Sequence, residues 1–572
     1  MHQPEAQPRA SLYFAYRVHP VWLPPAHAPE EKVQVVVVGG GPIGLALALD
    51  LARYGVRCVL LEAERQVSEG SRAIVFTRRS MEILHQLGVA DRVVAKGLPW
   101  RYGNSYYRGR RVFRMAAPHD ADQRFLPMTN LQQPYLERYL ADALAQSPNA
   151  ELRWGNRVSA IAQDQDGVRL TVETPAGDYA LGAQWVVAAD GAHSTLRQLL
   201  GLKMEGTAYE GRFVIADIRV DLDLPTERLA FFDPPWNPGN TVLMHREPDG
   251  IWRVDYQLPP GETAEEALAP AALRSRIDAA LALVGAAGRP WELDWCSVYS
   301  ARAMTLPDYL HGRVAFVGDA AHLLPIFGVR GANTGFQDAH DLAWKLALKL
   351  RGCAGPGLLS SYSHERVAAA REIIDEAGKS TRFMTPPSPG YRLLRDAVLS
   401  LALSEEFVRP LLHWRTSRAH DYASSALNCA GDDDALFDAG PPHGAPCADL
   451  RLEQGGFLLD HLGPAFQLLH FGAGPAPEVL ACIATFRRRG VPLRLLRVAM
   501  VEEAPGGAVE DGQILPDSEG RLHRHFGVTL AGAAYLLRPD QHVCARWLTL
   551  SADRLQLALD RALGHEPRSL EP

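Results

Sequence analysis

With 572 residues the chain exceeds what one hydrophobic core can serve, since single cores stop growing at roughly 250–300 residues, and two or three domains are expected. A composition of 47% hydrophobic and 22% charged residues excludes a disordered chain, and 59 basic against 66 acidic residues, a formal charge of −7, give no electrostatic basis for a nucleic acid partner. No apolar run approaches the roughly 18 residues of a membrane span, and the N-terminus lacks the basic-then-apolar order of a signal peptide, so the expectation is a cytoplasmic protein with no membrane partner.

Residues 1–30, rich in Pro and Ala with Tyr13, Phe14, Tyr16 and Trp22 among them, show neither helical nor strand periodicity and read as an irregular arm. From Val33 the run VQVVVVGGGPIGLALALDLARYGVRCVLLEAE predicts a strand, a glycine turn, a helix stopped by Gly55, and a second strand ending at Glu62. Between about 205 and 300 the alternation in RFVIADIRVDLDL and GIWRVDYQL predicts antiparallel strands with one face covered. Asn333 to Leu350 predicts a helix with Gly352 just past its end, and the Gly-, Pro- and Asp-dense stretch from about 425 to 445 predicts a linker. Beyond it FQLLHF, PEVLACIATFRRRG, VPLRLLRVAM and the hairpin-like AAYLLRPDQHVCARW predict a small α/β domain. The seven cysteines are scattered singly, with no CxxC and no histidine at zinc-ligand spacing, so no metal site is expected.

Gly39, Gly41 and Gly44 form G-x-G-x-x-G between a strand and a helix, where the backbone can approach a pyrophosphate and the helix N-terminus offers free N–H groups. Glu62, 18 residues beyond Gly44, closes the second strand where a carboxylate can accept from a ribose. This pair of features predicts a bound dinucleotide and leaves FAD and NAD undistinguished. Two further segments, DGAHSTLR from Asp190 and GDAAHLLP from Gly318, each follow an apolar strand and place an aspartate, Asp190 or Asp319, at its end. Taken singly, an Asp-Gly or Gly-Asp of this kind is more commonly a turn or capping residue, and it is the ordered set that points to cofactor contacts.

In this order the three motifs resemble those of the class A flavoprotein monooxygenases, the para-hydroxybenzoate hydroxylase and phenol hydroxylase family, over about residues 33–400. The resemblance implies an α/β fold: a Rossmann-type FAD-binding domain (31–204 and 300–400), an antiparallel-sheet substrate domain (205–299), a helical segment and linker (401–440), and a C-terminal thioredoxin-like domain (441–572). It implies FAD as cofactor, NADH or NADPH as co-substrate, and hydroxylation of a phenol-like aromatic small molecule by O2 through a flavin C4a-hydroperoxide. A homodimer is compatible with it. The FAD motifs by themselves fit equally a flavin dehydrogenase or reductase, or a flavoprotein that sequesters an aromatic compound without turnover.

By the same resemblance Asp319 bonds the ribityl chain, Asp190 lies near the pyrophosphate and the nicotinamide path, and Arg72 and Gln133 match positions that hold the FAD phosphates and ribityl region. The helix expected to start around Gly331, Ala332 and Asn333 aims its positive end, and the N–H groups of Ala332 and Asn333, at the flavin N1/O2 edge; Asn333 also reads as its N-cap. Many relatives carry two prolines after GDAAH, whereas here Pro325 is followed by Ile326. In the middle sheet His245–Gly250 predicts a hairpin turn, and alternation places Arg253, Asp255 and Gln257 on one face, lining a pocket or facing water. Arg253 corresponds to a flavin-contacting arginine, and Arg246 and Asp255 to pocket-facing polar positions. Asp255 or His245 is the candidate acceptor for a phenolic proton. In the C-terminal domain GAGPAP, Gly472 to Pro477, stands where a thioredoxin has its paired cysteines, so dithiol chemistry is not expected.

Overall fold

The computed structural model describes residues 2–25, 30–259, 261–325, 327–412, 418–431, 433–500 and 512–566. The valine run becomes the strand Glu31–Val38, buried on both sides from Val35 to Val38 as expected of a central strand in a parallel sheet. Five parallel strands lie in the order Val314–Phe316, Gly177–Ala188, Glu31–Val38, Cys58–Glu62, Ala150–Trp154. The helix Pro42–Arg53 returns between the first two strands in sequence, with Pro42 in its first turn, where a missing N–H removes no helical bond. The crevice at the C-terminal ends of these strands is where such sheets take their ligands.

The middle sheet has eight strands, in the order His322–Leu323, Glu292–Thr305, Glu205–Arg219, Ile251–Gln257, Thr241–Arg246, Arg228–Phe232, Tyr102–Tyr107, Arg110–Ala116. It differs from the sequence reading in two ways. It draws in strands from 102–116, outside the expected 205–299, because Arg228–Phe232 pairs in parallel with Tyr102–Tyr107, and alternation carries no information about which strands pair. It is also covered on both faces. Phe213, Ala230 and Phe232 pack with Phe327, Met384 and Leu399 on one side, and Val214, Val254 and Tyr256 pack with Leu273 and Ile277 on the other.

The helix expected at Asn333 begins at Gly331 and runs to Leu350, and a helix of 28 residues, Gly357–Met384, packs beside it. The C-terminal unit is a five-stranded sheet, Gln513–Pro516, Leu493–Ala499, Phe466–Phe471, Ala534–Leu537, Val543–Trp547, its first three strands parallel and its last two an antiparallel hairpin. All seven cysteines are free, and Cys447 and Cys544 are buried.

The turn of that hairpin is fastened to the FAD-binding domain by buried charge. Arg538 donates to Glu365 at 2.8 Å and to Asp341 at 2.7 Å, and Lys345 donates to the same two carboxylates at 2.6 and 2.9 Å. Burial opposes ionisation of Glu365, but Arg538 and Lys345 override it and hold its pKa far below the ordinary range. Removing one partner of a buried pair leaves the other uncompensated, at a cost of about 3–5 kcal/mol. Arg538→Ala should therefore lower the urea midpoint and open residues 441–566 to limited proteolysis; an unchanged digestion pattern would show that apolar contacts alone seat this domain.

Candidate functional site

Gly39 has φ +110°, and a Cβ there would lie 2.4 Å from the Ala189 carbonyl oxygen; a Cβ on Gly44 would lie 2.0 Å from that of Gly39. These two glycines let strand, turn and helix approach one another. Gly41 differs: its φ is −69°, and a Cβ on it would meet no atom within 4 Å. Its side faces open space at the start of a helix whose first N–H groups have no helical acceptor. Glu62 bends over the turn, accepting from Gly40 N at 2.6 Å and Glu64 N at 2.8 Å, and burial raises its pKa against those two bonds.

Asp190 and Asp319 follow neighbouring strands, Gly177–Ala188 and Val314–Phe316. Asp190 Oδ2 accepts from Leu196 N at 3.0 Å, while its buried Oδ1 has no partner among the described residues, and burial raises its pKa. Asp319 is exposed, and desolvation by the protein around it raises its pKa against the pull of His322 and Arg72. Its Oδ1 lies 3.9 Å from where a Cβ on Gly331 would sit, so carboxylate and helix start border one space. Thr334 makes the first helical bond, to Arg330, which leaves the N–H groups of Gly331, Ala332 and Asn333 without a helical acceptor. Just ahead of them Val329, a β-branched residue, is held at φ +56°, a strained conformation of the kind that clusters at functional loops.

Asn333 is not the cap. Arg330 occupies that position, and the Asn333 side chain turns away to accept from Thr77 N at 2.8 Å and Ser80 Oγ at 2.6 Å and to donate to Val75 O and Val329 O. It ties the helix start to the strand Val75–Thr77. A second brace escaped the sequence reading although His322 stands inside the GDAAH motif. Asp338 accepts from Arg366 at 2.7 Å and from Gly318 N at 3.0 Å, and lies 2.6 Å from His322 Nε2. Burial opposes its charge, but His322 and Arg366 bring its pKa down to about 2, so an anion fixes the loop that presents Asp319.

The exposed Arg72 closes the irregular loop 63–72, and its guanidinium makes no hydrogen bond among the described residues. Gln133 holds that loop rather than pointing freely into the cleft: its Oε1 accepts from Ala73 N at 3.0 Å and its Nε2 donates to Glu137 at 2.8 Å. Arg253 also differs from a direct flavin contact. It is buried, bidentate on Asp217 at 2.8 and 2.9 Å, and donates to the carbonyls of Ser71 and Arg72. It braces the loop from below. Arg253→Ala would leave Asp217 buried without its countercharge, so a loss of about 3–5 kcal/mol in urea unfolding is expected, together with weaker FAD binding. Burial and the neighbouring Asp217 already hold the pKa of Glu247 well above the ordinary range, so parent-like stability in that variant would mean that Asp217 is protonated as well.

The register pairs Arg253 with Asp217 and His245, and Asp255 with Ile215 and Leu243, so Arg253, Asp255 and His245 share one face. Arg246 does not join them. Adjacent strand residues point oppositely, and its guanidinium donates to Leu224 O at 2.8 Å on the far side, which takes it away from the face of Asp255. The face of Asp255 carries Phe213, Leu243 and Tyr299, packed with Phe327 and Val329, the segment before the Gly331 helix. Pro325 is buried just ahead of that segment, and Ile326 lies outside the described residues. Asp255 is 7% exposed, its Oδ1 has no partner among the described residues, and burial pushes its pKa up to about 7 against the pull of Arg253. His245 is driven the other way: burial, then Arg228 and Arg253, bring its pKa to about 3, so it is a neutral imidazole.

The cleft therefore offers a backbone cradle at Gly41, carboxylates at Glu62 and Asp319, N–H groups at a helix start without a helical acceptor, and the Arg72 guanidinium, which makes no hydrogen bond among the described residues. This donor set fits a long dinucleotide ending in an electron-accepting ring. A model of the FAD binding domain matches residues 32–377, more than half of the chain. The chain belongs to the FAD-binding class A flavin hydroxylases. It is 29% identical over 538 residues to a 3-(3-hydroxy-phenyl)propionate/3-hydroxycinnamic acid hydroxylase of Mycolicibacterium smegmatis (92% of each chain covered), and 30% identical over 535 residues to a 6-methylpretetramide 4-monooxygenase of Streptomyces rimosus (90% of each). Among solved structures, the flavin-dependent monooxygenase PieE in complex with FAD and substrate superimposes with a TM-score of 0.77 at 26% identity, covering 94% of this chain and all of that one. This flavin hydroxylase is thus an FAD-dependent, NAD(P)H-consuming aromatic monooxygenase. No helix among the described residues is long and apolar enough to cross a membrane.

Proposed function

We propose that this hydroxylase binds a phenolic ring on the face formed by Phe213, Leu243 and Tyr299, with the phenolic hydroxyl donating to Asp255. The observation that carries this reading is Asp255 Oδ1, buried on that face and without a partner among the described residues. A phenolate is the more reactive ring, and a carboxylate with a pKa of about 7 is matched to taking up the proton near neutral pH. His245 stays neutral beside it and serves as a hydrogen-bonding wall rather than as a cation.

On the cofactor side, the Gly41 cradle would hold the pyrophosphate, Glu62 the adenosine ribose and Asp319 the ribityl chain. The N–H groups of Gly331, Ala332 and Asn333 would offer hydrogen bonds to the N1/O2 edge of the ring system, Arg72 would close the site, Asp190 would border the nicotinamide path, and Gln133 and Arg253 would act by holding the Arg72 loop. The bound flavin would supply the redox and oxygen-activating chemistry, with NAD(P)H as the electron source and O2 as the source of the inserted oxygen atom, the second oxygen leaving as water. The C-terminal unit is read as a thioredoxin-like domain without dithiol chemistry: its parallel strands joined by the helix Pro477–Arg488, followed by the antiparallel hairpin, support that fold.

The test is turnover under 18O2 with NADH or NADPH on phenol, hydroxybenzoates, 3-(3-hydroxyphenyl)propionate and polycyclic quinols. A product heavier by one labelled oxygen, formed only from ring-hydroxylated substrates, is expected. Equal hydroxylation of rings lacking a hydroxyl group would overturn the role given to Asp255.

A further inference from the structure

The loop 63–72 contains no helix or strand and is held by scattered bonds, Gly155 N to Glu64 O at 2.9 Å and Ser68 N to Glu137 at 2.6 Å among them, and it presents its last residue, Arg72, to the FAD cleft. Arg253 braces it from below. From outside it is covered by residues 2–25, which are equally without regular structure and yet pinned at several points. Asp294, on the middle-sheet strand Glu292–Thr305 and with its side chain fully buried, accepts from the Arg9 guanidinium at 2.7 Å and from Ser11 Oγ at 2.8 Å. At the other end His19 stacks on Trp154 of the parallel sheet at 4.5 Å, and Trp22 N donates to Trp154 O at 3.0 Å. Between these two anchors the arm bonds the loop itself. Gly70 N donates to the Tyr16 hydroxyl at 3.1 Å, Arg9 N donates to Glu69 at 3.3 Å, and His19 and Arg65 exchange two bonds at 2.7 and 2.8 Å.

We propose that the N-terminal arm is a strap, fastened to both domains, that holds the Arg72 loop closed over the cleft and sets the rate at which FAD escapes. Arg9 and Tyr16 are its positioning residues. The loop cannot lift while the arm stays seated, because Arg9 spans from Glu69 to Asp294 and Tyr16 bonds the loop at Gly70. Each ordinary hydrogen bond of this kind corresponds to a factor of roughly 2–10 in an equilibrium or a release rate. The inference rests on the reading that Arg72 borders bound FAD, and it goes beyond that reading in giving a kinetic role to a segment that touches neither cofactor nor substrate.

The test uses the full-length holoenzyme. Arg9→Ala combined with Tyr16→Phe should release FAD about tenfold faster on dilution, followed by the rise in free flavin fluorescence, while the apoprotein keeps a cooperative unfolding transition, lowered by the loss of the countercharge to buried Asp294. Arg9→Lys alone should restore most of the retention. In an Arg72→Ala background, where release is already fast, the same two substitutions should add less than about twofold. A release rate within twofold of the parent, or an undiminished tenfold effect without Arg72, would overturn the strap. A parent protein that binds no FAD would instead overturn the cofactor reading beneath it.

Discussion

Gly41→Val is expected to give a folded protein that no longer retains FAD, whereas Gly44→Val is expected not to fold. The two positions belong to one motif and look interchangeable in sequence, but they meet different neighbours. A Cβ on Gly44 would lie 2.0 Å from the Gly39 carbonyl oxygen, with backbone on both sides of the clash and nothing free to yield, so the strand–turn–helix packing itself must break. The penalty should exceed about 4 kcal/mol, a large share of a typical domain's stability. Gly41 has an ordinary φ of −69° and free space where its side chain would be, so the apoprotein has no objection to valine. That space is the cradle, and filling it should displace the pyrophosphate and weaken FAD binding at least 100-fold, about 3 kcal/mol. Circular dichroism and melting of the apoproteins, with flavin titration, separate the cases. Tight FAD binding by Gly41→Val would mean that the pyrophosphate lies elsewhere.

Asp255→Asn should remove most hydroxylation while making the protein more stable above neutral pH. Burial raises the folded pKa of Asp255 to about 7, above its unfolded value near 3.9. Between those two values the unfolded chain releases the proton while the folded chain keeps it. This group therefore makes stability fall as pH rises from about 4 to about 7 and level off beyond, a penalty of about 4 kcal/mol when complete. Asparagine preserves the shape and removes the ionisation, so the variant should match the parent near pH 4, exceed it by a few kcal/mol at pH 8, and show a flatter pH profile of the urea midpoint. Chemistry runs the opposite way: the ionised carboxylate accepts the phenolic proton, so the parent's hydroxylation rate should climb through pH 7. The variant should lose that limb together with about 10²–10⁴ in rate. A variant that hydroxylates like the parent, or that is no more stable at pH 8, would place Asp255 outside the reaction.

The two expectations differ in how they could be read from the sequence. Gly39, Gly41, Gly44 and Glu62 belong to a strand, a turn and a helix that follow one another in the chain, so their arrangement was legible from spacing. Alternation likewise put Arg253 and Asp255 on one face, and the register agrees. It did not show that the face is buried, because the covering residues Phe327 and Met384 come from distant segments. Arg246 was assigned to the pocket beside Asp255; strand parity set against His245 would have excluded it once the pairing of His245 with Arg253 was known. Asn333 had the position of a cap in sequence and became a cross-brace, since Thr77 and Ser80, more than 250 residues away, offer it better partners than its own helix does.

Spacing and hydrophobic period by themselves carried a dinucleotide site and the main α/β units, because turn geometry and periodicity are properties of neighbouring residues; FAD and aromatic hydroxylation were legible only through the resemblance of the three ordered motifs to the class A flavoprotein monooxygenases. Tertiary structure decided what each buried charge does. Arg253 became a brace because Asp217, 36 residues away along the chain, lies opposite it in the sheet, and Arg538 became an anchor because Glu365, 173 residues away, lies against it across a domain boundary. A buried ion is tolerated only where countercharges and hydrogen bonds converge on it, and that convergence is set by strand register and domain docking, which no local pattern encodes.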